Sequence, residues 1–329
     1  MTKDKETSSD EQQTLSNRRN FMKAGAIGAA AMAVPVVAVA AQKENGAAAA
    51  RKELSGKTSF ITGGARGLGF ATAQELAGAG SNIVLFDIAS KSIPNVGYAI
   101  SDDADLQKAK ASIEAMGVKC IAIKGDVRDR KALNDAMART VRELGSLDIV
   151  VANAGISQAG SIDEFSDADI AVVYDINVKG VIFTTQAAAP YMKKQKSGRI
   201  IYISSGLGRV GNELFPIYTS TKWAVIGFAK SAAVTYGRDN ILCNVVAPGL
   251  ARTQLADNPY ILKKMMPNDP NPTFDKLSAM LMPGNPLAFG HVEPVDVAKA
   301  ILFFAGSSTT KVTGEVFDVS YGANARNVA

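Results

Sequence analysis

Histidine is almost missing from these 329 residues; the one present is His291. With no cysteine or acidic cluster around it, a metal site has too few ligands to form, and His291 reads as a loop residue. Cysteine is nearly as scarce. Cys120 and Cys243 each stand in an apolar, strand-like run, so they read as separate reduced core residues and argue against a disulfide scaffold. Charge is spread thinly: the net charge is +5, and the basic cluster Lys193-Lys194-Gln195-Lys196 reads as a solvated helix end that gives nucleic acid no footprint. The apolar stretch from Ala24 to Ala40 is Ala- and Gly-rich, is broken by Pro35, and falls short of the ~20 strongly apolar residues of a spanning helix.

That stretch suits export better than anchoring. Arg18 and Arg19 precede it, and Ala38-Val39-Ala40 offers small residues to a signal peptidase. Arg18, Arg19, Asn20, Phe21, Met22 and Lys23 resemble a twin-arginine signal, although Asn17 stands where that family more often has Ser or Thr. The resemblance implies that residues 1–40 direct a folded protein through the twin-arginine export machinery to the periplasm or cell exterior. An uncleaved membrane anchor is the alternative. Residues 41–53 read as a linker, and 54–329 are within the reach of a single α/β domain.

From Thr58 onward, TSFIT, NIVLFD, VKCIAIKG, LDIVVANAG, RIIYIS and LCNVVAPG read as strands. Between them Leu68–Ala79, Asp103–Met116, Arg130–Leu144 and Asp169–Met192 carry a helical period. Near-continuous apolar strands need cover on both faces, and helical crossovers make them parallel. The expected fold is a doubly wound α/β sheet of the Rossmann type, ending on VFDVS, with ligands outside the carboxyl ends of the strands.

After the first strand comes Thr62-Gly63-Gly64-Ala65-Arg66-Gly67-Leu68-Gly69. Glycines at 63, 67 and 69 permit a tight turn and let a pyrophosphate approach the N–H groups that open a helix. Asp87 ends the second strand, where a carboxylate accepts from ribose hydroxyls and repels a 2′-phosphate, which favours NAD over NADP. Arg66 pulls the other way, since a guanidinium in that turn can meet a phosphate. Further on, Ser204-Ser205 follow the fifth strand and Tyr218-Thr219-Ser220-Thr221-Lys222 opens a helix. Tyr218 and Lys222 share one helical face, and a lysine ammonium beside a phenol favours the phenolate.

The motifs TGGARGLG, Asp87, Asp126-Val127, Asn153-Ala154-Gly155, Asn177, Ser205, YTSTK and Pro248-Gly249, in this order, resemble the short-chain dehydrogenase/reductase family from about Leu54 to Tyr321. The resemblance implies Tyr218 as general base and acid, and Ser205 as hydrogen-bond partner of the reacting oxygen. It implies Lys222 on the nicotinamide ribose and Asn177 holding a proton-relay water. Asp126 would contact adenine, with Val127 beside it. Asn153 and Gly155 would line the cofactor, and Leu250 and Thr253 would meet the nicotinamide. Dimers or tetramers built on the helices bearing Asn177 and Tyr218 are also implied.

Residues 88–103 form an insertion where family members have a handful of residues; it reads either as a neutral loop or as a cover for the cofactor. Together with ELGSLDIVVANAG and the long segment after Gly249, it resembles the carveol-dehydrogenase-like, mycofactocin-coupled subgroup. That resemblance implies NAD that does not exchange and is reoxidised by a separate electron carrier. Residues 255–289, with Tyr260, Met265-Met266, Phe274, Met280 and Met282, read as a lid over an apolar terpenoid- or steroid-like alcohol or ketone, or as a packing surface for a partner subunit. An epimerase using bound NAD and a non-catalytic nucleotide-binding protein are the competing functions.

Overall fold

Seven short strands build one parallel sheet in the order β3-β2-β1-β4-β5-β6-β7. They are β1 (Thr58–Thr62), β2 (Asn82–Asp87), β3 (Cys120–Lys124), β4 (Ile149–Ala152), β5 (Gly198–Ile203), β6 (Ile241–Pro248) and β7 (Val316–Val319). The computed structural model describes residues 53–325; the expected signal at 1–40 and the linker as far as residue 52 lie outside the described residues. No helix among the described residues is long and apolar enough to cross a membrane.

Alternation of side chains along each strand divides the core between the two faces of the sheet. Phe60, Val84, Phe86 and Val150 pack into one cluster, while Ile61, Ile83, Leu85, Ile149 and Val151 pack into the other. The second face is covered by α1 (Gly67–Gly78), α2 (Asp103–Glu114) and α9 (Pro294–Ala305). The first is covered by α3 (Arg130–Leu144), α5 (Gly180–Gln195) and α6 (Pro216–Tyr236). Both faces being buried explains why the central strands carry no polar alternation. Cys120 on β3 and Cys243 on β6 are buried and unbonded, with four strands between them. That places them ~24 Å apart, far beyond disulfide reach, and burial pushes both thiols up to about 12.

One expected helix is two. The periodic run 169–192 begins in α4 (Asp167–Tyr174), widens into a π turn at Asp175–Lys179, and continues as α5. The π turn inserts a residue between two stretches that each keep a helical period, so the run as a whole still reads as helix. The turn contains Asn177, which is fully buried. The segment after β6 folds into two short helices, α7 (Pro259–Met265) and α8 (Phe274–Leu281).

Candidate active site

The order of the strands reverses between β1 and β4, where neighbouring connections leave for opposite faces and open a crevice at their carboxyl ends. The glycine turn leaves β1 on one side of it and Asn153-Ala154-Gly155 leaves β4 on the other. Gly63 and Gly67 hold φ of +65° and +56°, a region closed to most side chains. Gly69 does different work: a Cβ there would stand 2.0 Å from the Gly63 carbonyl oxygen, so it lets the helix pack on its own turn. Where α2 and α3 begin with the capping carboxylates Asp102 and Asp129, α1 begins with no side-chain cap and no acidic residue in its first turn. Its leading N–H groups are therefore available to an anion, and the helix dipole favours one.

A cavity of about 580 Å³ opens there. It is lined by Gly63, Arg66, Gly67 and Leu68 from the turn, by Asp87, Asp126 and Val127, and by Asn153 and Gly155. Ser205, Tyr218, Lys222, Pro248, Gly249, Leu250 and Thr253 complete the group of expected residues on its wall. Gly69 and Asn177 lie behind the wall.

Several of these side chains have partners the sequence did not foretell. The Asp87 carboxylate accepts from the Ala65 N–H (3.0 Å), the Ala89 N–H (3.1 Å) and the Ser101 hydroxyl, which fixes its position beside the turn. Arg66 is held by the Ala99 carbonyl (2.8 Å) and by Gln254, so its guanidinium ties the insertion to the segment after β6. Asp126 is forked by Arg128, whose terminal nitrogen donates at 2.6 Å, and any adenine contact must share that carboxylate. The Asn153 carboxamide donates to the Thr62 and Gly63 carbonyls at 2.9 and 3.1 Å; it braces the two loops together in addition to facing the cavity. Leu250 has its N–H bound to the Tyr321 hydroxyl (3.2 Å) and its carbonyl to the Val292 N–H (2.8 Å).

Pro216 at the start of α6 sets the helix, and four residues bring Tyr218 and Lys222 onto one face, with Nζ 5.5 Å from the Tyr218 ring centre. Lys222 is buried and donates to the Ile203 carbonyl at 2.9 Å. Burial lowers it to about 8. Burial also raises the Tyr218 phenol to about 12, against the hydrogen bond of Ser205, which lowers it. The sequence led us to expect Lys222, with the positive nicotinamide of NAD nearby, to favour the Tyr218 phenolate; within the protein alone desolvation is the largest influence, and the phenol is protonated at neutral pH. Ser205 also caps the turn that follows, accepting the Leu207 N–H at 3.2 Å. Asn177 accepts the Ile156 N–H and donates to the Ile156 carbonyl, each at 2.9 Å, and donates to the Thr221 hydroxyl at 3.1 Å. A Cβ on Gly155 would lie 3.3 Å from Asn177 Oδ1 and 3.5 Å from Lys222 Nζ. The absence of a side chain at 155 is what lets those two groups share the site.

The insertion is bound down along its length. Its Ile93, Tyr98, Ile100 and Ser101 line the cavity. Tyr98 accepts the Ser157 N–H at 3.0 Å and stacks on Tyr260 of α7, ring centres 6.5 Å apart. Burial raises the Tyr98 phenol, so it remains a neutral O–H. Of the apolar residues expected in the lid, Met265 faces the cavity along with Leu255, Ile261 and Leu281. Phe274 and Met266 are buried in a small core of their own, while Met280 and Met282 point to solvent. His291 fastens α8 to the body, bonding Ser278 Oγ at 2.7 Å and Glu293 at 2.9 Å. Tyr98, Ser157 and Tyr321 were missed in the sequence; the signal for Ser157 was its place two residues beyond Gly155.

A parallel sheet with a phosphate-ready helix at its switch point, and a Ser-Tyr-Lys set beside it, defines a dinucleotide-dependent oxidoreductase. Residues 57–260 match the short chain dehydrogenase family model, and the chain belongs to that family. It is 33% identical over 263 residues to the oxidoreductase UcpA of Escherichia coli, covering 80% of this chain and 92% of that protein. It is 31% identical over 271 residues to (−)-trans-carveol dehydrogenase of Rhodococcus erythropolis, covering 82% and 98%. Among solved structures, carveol dehydrogenase from Mycobacterium avium in complex with NAD is similar with a TM-score of 0.81 and 31% identity, covering 84% of this chain and all of that one.

Proposed function

We propose that the protein is an NAD-dependent dehydrogenase that interconverts a secondary alcohol and a ketone on a largely apolar substrate, and that it holds its dinucleotide beneath residues 88–103. The observation that carries the reading is the single cavity shared by the uncapped start of α1, Asp87, Ser205, Tyr218 and Lys222. NAD, when bound, supplies the hydride acceptor and a positive ring. The turn N–H groups would take its pyrophosphate, and Asp87 its adenosine ribose. Arg66, engaged with Ala99 and Gln254, does not favour a 2′-phosphate.

Tyr218 and Ser205 would bind the reacting oxygen. A protonated Tyr218 gives its proton to that oxygen in ketone reduction. In alcohol oxidation it takes the hydroxyl proton once a positive charge nearby offsets its burial. Lys222, released from the Ile203 carbonyl, is placed to reach the ribose.

The tight hold is supported by the ties of residues 88–103 to Arg66, Ser157 and Tyr260, and it would suit export in the folded state and reoxidation by a separate electron carrier. Trp223 and Val234, exposed on α6, support assembly through that helix. The test is to purify the protein without nucleotide, denature it, and quantify released dinucleotide by mass spectrometry; about one NAD(H) per chain is expected, and an empty protein refutes the tight hold. Tyr218→Phe should lower hydride transfer by about 10²–10⁴; unchanged activity would remove Tyr218 from its role.

A further inference from the structure

Tyr321, on the turn that follows β7, keeps φ at +47°. That region is unfavourable for a residue with a side chain, and a bulky residue there is a true outlier. Ala89, Lys91, Asn95, Lys196 and Asn240 share it, but Tyr321 is the aromatic one among the described residues. Glycine would sit there without strain and would take the ring away. Such an outlier persists where its surroundings hold it, and it points to a use for the side chain.

The surroundings do hold it. The Tyr321 carbonyl accepts the Leu287 N–H at 3.0 Å, and the Ala323 N–H closes the turn on the Ser320 carbonyl at 2.8 Å. The ring lies along the end of β6, where a Cβ on Gly249 would stand 3.1 Å from the phenol oxygen. That oxygen accepts the Leu250 N–H at 3.2 Å, and no acceptor for the O–H itself is found among the described residues. Burial raises the phenol, so it keeps its proton.

This position suits one part of the dinucleotide. Ser320, Tyr321, Ala323 and Asn324 line the cavity together with Ser205 and Tyr218. The Asn324 carboxamide donates to the Gly206 carbonyl at 3.3 Å, which carries the turn across β6 to the neighbour of Ser205. A ring that exchanges hydride with a carbon held by Ser205 and Tyr218 must lie in contact with that carbon, and therefore against the ends of β5 and β6. The polar substituent of that ring is a carboxamide. The Leu250 N–H of this wall is engaged by the phenol, which presents its own O–H in its place.

We propose that Tyr321 is a cofactor-binding residue whose O–H donates to the carboxamide carbonyl oxygen of the nicotinamide, and so fixes how the ring is turned toward the substrate. This rests on the placement of NAD proposed above.

The test reads the bound cofactor, so that turnover does not enter. Full-length parent and Tyr321→Phe are produced in cells fed nicotinic acid labelled with carbon-13 at its carboxyl group, and are kept in NAD labelled in the same way. Isotope-edited infrared difference spectroscopy then isolates the carboxamide C=O stretch, which should move to higher frequency in Tyr321→Phe as the donor is lost. Release of bound NAD into excess unlabelled NAD should quicken about fivefold. Release of ADP-ribose, which lacks the nicotinamide and is loaded by long exchange, should be the same from both proteins. An unchanged stretch with NAD bound, or equal quickening of NAD and ADP-ribose, would overturn the Tyr321 contact alone and leave the side chain a brace for Leu250. Protein that carries no labelled NAD would overturn the placement of NAD as well.

Discussion

Asn177 holds Ile156 by both of its main-chain groups, from the π turn that leads into α5. The chain leaving β4 is thereby fixed just where Gly155 meets Lys222 and Ser157 enters the cavity wall. In the protein its carboxamide is a positioning group for this loop.

Replacing Asn177 with Ala should therefore cost stability as well as activity. It strands the Ile156 N–H and C=O in a dry interior, which we expect to lower the unfolding free energy by about 3 kcal/mol. Urea unfolding of parent and variant measures this. A loss of turnover with unchanged stability would assign Asn177 to proton relay alone.

Gly155→Ala tests the shared space. The added methyl meets Asn177 Oδ1 at 3.3 Å and Lys222 Nζ at 3.5 Å, and residue 155 is not among the positive-φ glycines. Turnover should fall about tenfold or more through misplacement of Lys222, while the urea midpoint stays near that of the parent.

Buried Lys222 and partly buried Tyr218 make stability depend on pH in a way that can be signed. Lys222 titrates near 10.5 when unfolded and at about 8 in the fold, so between those values the unfolded chain binds the extra proton and stability rises with pH. Tyr218, raised from 10 to about 12, acts oppositely: its contribution is present below pH 10 and is lost as pH climbs toward 12. Each effect is on the order of 3 kcal/mol. Urea unfolding at pH 7.5 and 9.5 should show a gain in the parent that Lys222→Met lacks. Equal slopes in the two proteins would contradict the lowered Lys222.

Arg66 joins the glycine turn to the insertion. In Arg66→Ala the bonds to Ala99 and Gln254 are gone, and dissociation of the dinucleotide, followed by exchange with labelled NAD, should quicken by about tenfold. An unchanged exchange rate would leave the insertion without a part in retention.

Much of this could be read from the chain because each feature is local. The strands announce themselves as apolar runs, and the glycine turn and YTSTK are short, contiguous and chemically distinctive. What escaped is set by contacts between distant residues. Nothing near Asn153 says that its carboxamide will brace the turn after β1, and nothing in the period of 169–192 marks a π turn. Tyr98 lies in a segment without periodicity, and its partner Ser157 is brought to it only by the fold. The upward push that desolvation gives the Tyr218 phenol depends on depth below the surface, a quantity no spacing encodes.

Residues 88–103 carry Ala89, Lys91 and Asn95 in left-handed conformations, each mildly unfavourable for a residue with a side chain. The loop stays in place through its bonds to Asp87, Arg66, Ser157 and Gln158. A dinucleotide under such a strap would leave only when those bonds open together. Its residence time would then be the lifetime of a small cooperative unit, visible in the hydrogen exchange of the strap amides while the sheet beneath stays protected.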